Sequence, residues 1–301
     1  MQASPLRLSL PFMEQPVSSP DSADPNEVPS EDELRMLCEE LGKGWDSTFG
    51  SMAGLEMGRE DQYPDPVRFP IVYAFAAHAH TLTATACEHL ARLDYAAAGA
   101  LLRVAYESAL TAVWAAESEE AARAIHHGLV QDAMKLRANA KKTEWFDDLL
   151  GRIPEPAPAP DGTAGSAQGE AATFANLCQS LEPHSDGLYL QFRLLSVYAH
   201  PSGEVIKMFV SDDGQTISLG PRDASPDVHL HLWHAAALNL LQAGQALDRL
   251  DPSARRREAL ARAGDRLGWS EPLRLTEKAK SAVKRARIAR DAAADEQPLV
   301  E

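Results

Sequence analysis

The chain has 301 residues, 45% hydrophobic and 24% charged, with a formal net charge of −15. That is an ordinary globular composition, long enough for one large domain or two modest ones. The acid excess argues against broad, sequence-independent nucleic-acid binding, and no stretch approaches the roughly 18 uninterrupted apolar residues of a membrane span.

Residues 1–30 are rich in Pro, Ser and Asp, show no periodicity and lack the regions of a secretion signal, so they read as a disordered leader. Ser30-Glu31-Asp32-Glu33 is a capping-box pattern. It predicts a helix with Leu34, Leu37, Cys38 and Leu41 on its apolar face, weakened at its far end by Gly42, Gly44 and Gly50. Tyr63-Pro-Asp-Pro66 reads as a loop. An alanine-rich helix nearly apolar all round follows from Phe69 to about Leu93, with Pro70 tolerated in its first turn. A second runs from about Tyr95 to Ala116, and the short hinge between them predicts antiparallel neighbours. Residues 118–150 continue as one or two more polar helices, and 151–169 form a Pro/Gly-rich extended linker.

A short helix is predicted over Glu170–Leu181 and another over Asp186–Ala199, which Pro201 stops. Val205–Val210 and Thr216–Leu219 flank Asp212-Asp-Gly-Gln215, a hairpin signal that places a β-hairpin at 205–219. A last core helix covers Val228–Leu250. Residues 252–301 hold 12 Lys/Arg and 8 Asp/Glu, a basic helical tail of +4 on a body of −19. The expected fold is all-α, an antiparallel bundle of four or five long helices over 31–250 with that hairpin inserted. Three scattered cysteines, Cys38, Cys87 and Cys178, predict no disulfide framework and a reducing, cytoplasmic setting.

The strongest hint of chemistry is Arg193-Leu-Leu-Ser-Val-Tyr-Ala-His200. Seven residues turn a helix by about 700°, so Arg193 and His200 share a face within ~20° and lie ~10 Å apart along the axis. An arginine offers a planar fork for phosphate. A histidine offers proton transfer near neutral pH, and a helix C-terminus favours its charged form. RNA supplies its own nucleophile, the 2′-hydroxyl, so such a pair meets the minimum that cleavage needs. The plainer alternative is a surface arginine and a helix-capping histidine.

Arg103 and Glu107 are neighbours at i, i+4 on a face that continues through Leu110 and Trp114. They read as a partly buried ion pair that sets helix register, or as groups bracing Arg193 or His200. Tyr106 and Tyr198 read as core aromatics with satisfied hydroxyls. His229, His231 and His234 cluster at the start of the last core helix, but only His231 and His234 share a face, which makes a helix start more natural than a metal site. There is no Walker A loop, Gly-x-Gly-x-x-Gly, His-Glu-x-x-His, Cys-x-x-Cys or Gly-x-Ser-x-Gly, which disfavours the common NTPases, dehydrogenases, zinc proteases and α/β-hydrolases. No cofactor or metal is expected. In the tail, Arg255, Arg256 and Arg257, with Lys278, Lys280, Lys284, Arg285, Arg287 and Arg290, either contact RNA or an acidic partner or form a solvated face.

Arg-x6-His near the end of a bundle helix, with Arg103-Val-Ala-Tyr-Glu107 before it and Tyr198-Ala-His-Pro-Ser-Gly203 closing it, resembles the HEPN superfamily of helical domains and a bacterial family within it. The resemblance covers residues 69–250 and neither tail. It implies a metal-independent ribonuclease of the toxin or defence-effector kind, working as a homodimer whose motifs line one cleft. On that resemblance Arg193 and His200 are the catalytic pair, with Arg103, Glu107 and Tyr198 in support. Leu194 departs from the polar residue common after the arginine in active members, and the six-residue spacing is at the long edge of their range. Catalytically silent HEPN domains act as binding modules, so a helical module that docks RNA or a protein partner is the alternative.

Overall fold

The computed structural model describes residues 29–49, 68–140, 173–183, 185–212, 215–220, 225–251 and 254–295. Residues 1–28 of the predicted leader, the loop at 63–66, the linker at 151–169 and the turn at 213–214 lie outside them.

Helix α1 (Glu31–Phe49) starts as the capping box requires. The Ser30 amide donates to Glu33 Oε2 at 2.7 Å, and the Glu33 amide donates to Ser30 Oγ at 3.4 Å. Its glycines do not end it before Phe49, because Trp45 and Phe49 bury themselves against the next helix. There Trp45 stacks on His80 with centroids 4.7 Å apart.

Helix α2 (Arg68–Ala91) and α3 (Tyr95–Ala116) form the antiparallel pair that the short hinge predicts. Asp94 caps α3 by accepting from the Ala97 amide, and it also pairs with His89. Helix α3 is the centre of the bundle. It packs on α2, on α6 (Ser185–Ala199) and on α8 (Pro226–Asp248), and Leu102, Tyr106, Leu110 and Trp114 are buried along it. Each such large side chain contributes about 1.5–3 kcal/mol by leaving water. Asn239 of α8 is buried too, and its Nδ2 donates to the Leu102 carbonyl at 3.2 Å, which fixes α8 against α3.

Helix α4 (Glu119–Ala140) is the amphipathic, more polar helix expected after 118. The short helix α5 (Phe174–Gln179) is capped by Thr173 and is shorter than the predicted 170–181. Strand β1 (Leu181–Glu182) follows it. After α6 the chain departs from expectation. Residues 203–209 form helix α7 (Gly203–Phe209), not the first half of the hairpin. Ser202 decides this, because its hydroxyl accepts from the Val205 amide at 3.3 Å as an N-cap. The β-branched Val205 and Ile206 suggested a strand, but the cap outweighs their preference. The hairpin is the smaller β2 (Val210–Asp212) with β3 (Ile217–Leu219), antiparallel with Val210 opposite Leu219.

The tail comprises α9 (Arg257–Arg266), β4 (Arg274–Leu275) and α10 (Glu277–Asp295). It is part of the body. Leu181 of β1 pairs with Leu275 of β4, and the Thr276 amide donates to the Ser180 carbonyl at 2.9 Å. Ala279, Ala282, Val283 and Ala286 are buried, and α10 packs on α4. The all-α architecture with a small hairpin is thus as expected, with a second two-stranded ladder that ties in the tail. Cys38, Cys87 and Cys178 are free.

Candidate functional site

Helix α6 carries the motif, and its inner face is set by packing. Leu188 and Leu195 are fully buried against α3. The Tyr106 hydroxyl donates to the Leu188 carbonyl at 3.0 Å, so Tyr106 is the satisfied core aromatic expected, and burial pushes its pKa well up. Tyr198 is half-buried and lies against Gly99 of α3. Phe174 packs between Tyr106 and Phe192 at 6.3 Å and 4.5 Å.

The outer face follows by elimination. Arg193 and His200 are both exposed, and no hydrogen bond or ion pair engages either side chain among the described residues. Leu190 and Leu194 are exposed beside them, at 59% and 46%. Ile206, Phe209, Ile217 and Leu219 of α7 and the hairpin are also exposed.

Arg103 and Glu107 form the expected partly buried ion pair, Nη1 to Oε2 at 3.2 Å. Arg103 also lies over the Phe192 ring at 4.8 Å. It therefore braces α6 one residue from Arg193, through a side chain about 100° round the helix from it. Glu107 pairs with Arg103 and makes no ion pair with Arg193 or His200. Sequence spacing finds the Arg103–Glu107 pair, but the cation–π contact joins residues far apart in the chain and has no local signal.

The three tail arginines have different surroundings. Arg255 is exposed. Arg256 lies over Phe49 at 4.8 Å and donates to the Gly244 carbonyl. Arg257 pairs with the buried carboxylate of Asp248 at 3.2 Å. Two of the three thus serve the fold, while Lys284, Arg285 and Arg287 are exposed on α10.

His229 pairs with Glu31 at 3.1 Å and accepts from the Trp233 indole at 3.0 Å. His231 and His234 are held below the usual histidine range by burial. Among the described residues no group of three or more His, Cys, Asp or Glu is arranged to hold a metal ion. No described helix is long and apolar enough to cross a membrane.

Compared with known proteins, the chain matches no family model, no curated protein and no solved structure.

Proposed function

We propose that the protein is a HEPN-like, metal-independent endoribonuclease whose site is completed when two copies bring their α6 faces together. The observation that supports this best is the state of Arg193 and His200. Arg193 is exposed on the motif helix and His200 is exposed just past its end, neither side chain is paired among the described residues, and exposed Leu190 and Leu194 adjoin them. Apolar surface beside free polar groups is what an interface that encloses a polar site presents.

On this reading Arg193 binds the scissile phosphate and offsets the charge that builds on it. His200 takes the proton from the 2′-hydroxyl as that oxygen attacks phosphorus. The 5′-oxygen leaves and takes a proton from the charged His200 of the second copy. The products are a 2′,3′-cyclic phosphate and a 5′-hydroxyl. The Arg103–Phe192 contact holds α6 in place, and the free cysteines suit a reducing cytoplasm.

The test is incubation of the wild type, Arg193→Ala and His200→Ala with total RNA in chelator, alongside light scattering. Cleavage by the wild type that both variants lose, from a dimeric protein, supports the proposal. No cleavage, or equal cleavage by all three, overturns it. The exposed Ile206, Phe209, Ile217 and Leu219 favour a second reading, a non-catalytic module that docks a protein partner through α7 and the hairpin.

A further inference from the structure

A pocket of about 330 Å³ lies between α2, α3, α4 and α5. That is at the small end of ligand pockets. Its floor is Ala124, Ile125 and Leu177, all buried, and Phe75, Val104 and Phe174 form half-buried walls. It opens to solvent at His78, Gly128 and Asp132.

The polar groups of this pocket share one property: each has its hydrogen committed elsewhere or has none to give. The Thr111 hydroxyl donates to the Glu107 carbonyl at 2.8 Å, and the Ser108 hydroxyl donates to the Val104 carbonyl at 3.0 Å. With its own hydrogen given to Val104, Ser108 Oγ accepts from His78 Nδ1, 3.0 Å away. Glu107 gives one carboxylate oxygen to Arg103 and Asp132 gives one to Lys135, while their other oxygens make no ion pair among the described residues. Acceptors thus line an apolar cup, and neither basic partner lines it.

We propose that this pocket binds a small organic cation, an ammonium or amidinium group on an aromatic or branched aliphatic body. The apolar body fills the cup between Phe75, Val104, Phe174 and Leu177. The cationic head donates to Glu107, Asp132 and Thr111, three acceptors for the N–H groups of one ammonium or amidinium. A carboxylate or phosphate ligand meets only acceptors and is rejected. This site does not rest on the ribonuclease reading, since it lies on the α4 side of α3 and includes neither Arg193 nor His200, although Glu107 is common to both through its pair with Arg103.

The test is calorimetric titration of the full-length protein at pH 7 with three probes of one shape: phenethylamine, 2-phenylethanol and 3-phenylpropanoate. Phenethylamine is expected to bind one to one, about tenfold tighter than either of the others. Glu107→Gln and Asp132→Asn each weaken the amine and leave the alcohol unchanged. A chain of −15 also attracts cations loosely, so Gly128→Leu is the deciding variant. Gly128 lines the exposed mouth of the pocket and a Cβ there meets nothing within 4 Å, so a leucine narrows the entrance and changes no charge. Loss of amine binding in Gly128→Leu supports the site. Retained binding, equal affinity for all three probes, or no binding of the amine overturns it.

Discussion

The Tyr198 ring lies so close to Gly99 that a Cβ there would sit 2.4 Å from the ring Cγ and 2.8 Å from the Tyr198 Cβ. Those atoms are near the α6 backbone and cannot swing aside as a side-chain tip would. Gly99 therefore sets how closely the motif helix approaches α3. Gly99→Ala gains about 1 kcal/mol of helix propensity. Against that, overpacking typically costs about 1–3 kcal/mol, so a net loss of up to about 2 kcal/mol is expected in urea denaturation. Gly128→Ala, with open space around it, keeps the propensity gain and serves as the control. Equal stabilisation by both alanines would show that the α3–α6 contact is not tight.

A second prediction concerns the carboxylate of Glu117. It pairs with Arg249 and accepts from the Leu275 amide at 3.1 Å, and Arg249 also donates to the Leu273 carbonyl. Burial pushes the Arg249 pKa down to about 10. Glu117→Ala leaves that guanidinium without its anion. Breaking a buried pair costs about 3–5 kcal/mol, and partial solvent access lowers the expected loss to about 2–3 kcal/mol. The local readout is hydrogen exchange, with the Leu275 amide and α10 losing protection before α2 and α3 do. Unchanged protection at Leu275 would contradict the anchoring role.

Acid should weaken the fold through three histidines. Burial holds His80, His231 and His234 below their ordinary pKa, partly offset at His80 by Asp46 and at His234 by the Leu267 backbone. Above about pH 6.5 these groups are neutral in both folded and unfolded chains and cost nothing. As pH falls below that value the unfolded chain takes up protons that the folded chain refuses, so stability drops. Each group contributes up to about 1.4 kcal/mol per pH unit until its folded pKa is reached. Melting curves from pH 7 to pH 5 check the slope, and His231→Gln should flatten it. A melting temperature that does not change over that range would rule the effect out.

The long helices were legible in the sequence because their signals are local. The box at Ser30 marks the start of α1, and α3 begins at Tyr95 and ends at Ala116 as its pattern indicates. Where local signals conflicted, at Ser202 and Val205, the cap prevailed over strand propensity and a helix formed. Of the motif pair, Arg193 is exposed on α6 and His200 is exposed one residue past its end. The contacts that place that helix were not legible. Arg103 on Phe192, Tyr198 on Gly99 and Glu117 with Arg249 each join distant parts of the chain. The pocket draws on four helices, and its acceptor-only character depends on which carbonyl each hydroxyl chooses.

The ladder between β1 and β4 also bears on how the protein is made. Leu181 and Glu182 find their partners only at Leu275 and Arg274. A ribosome emits the motif helix and the whole of α8 before that partner exists. Until then the β1 edge stays unpaired in a growing, partly packed chain, where an open strand edge can pair with a neighbour. Arrival of β4 closes that edge, so the segment that completes the fold late in synthesis also removes an opportunity for misassembly.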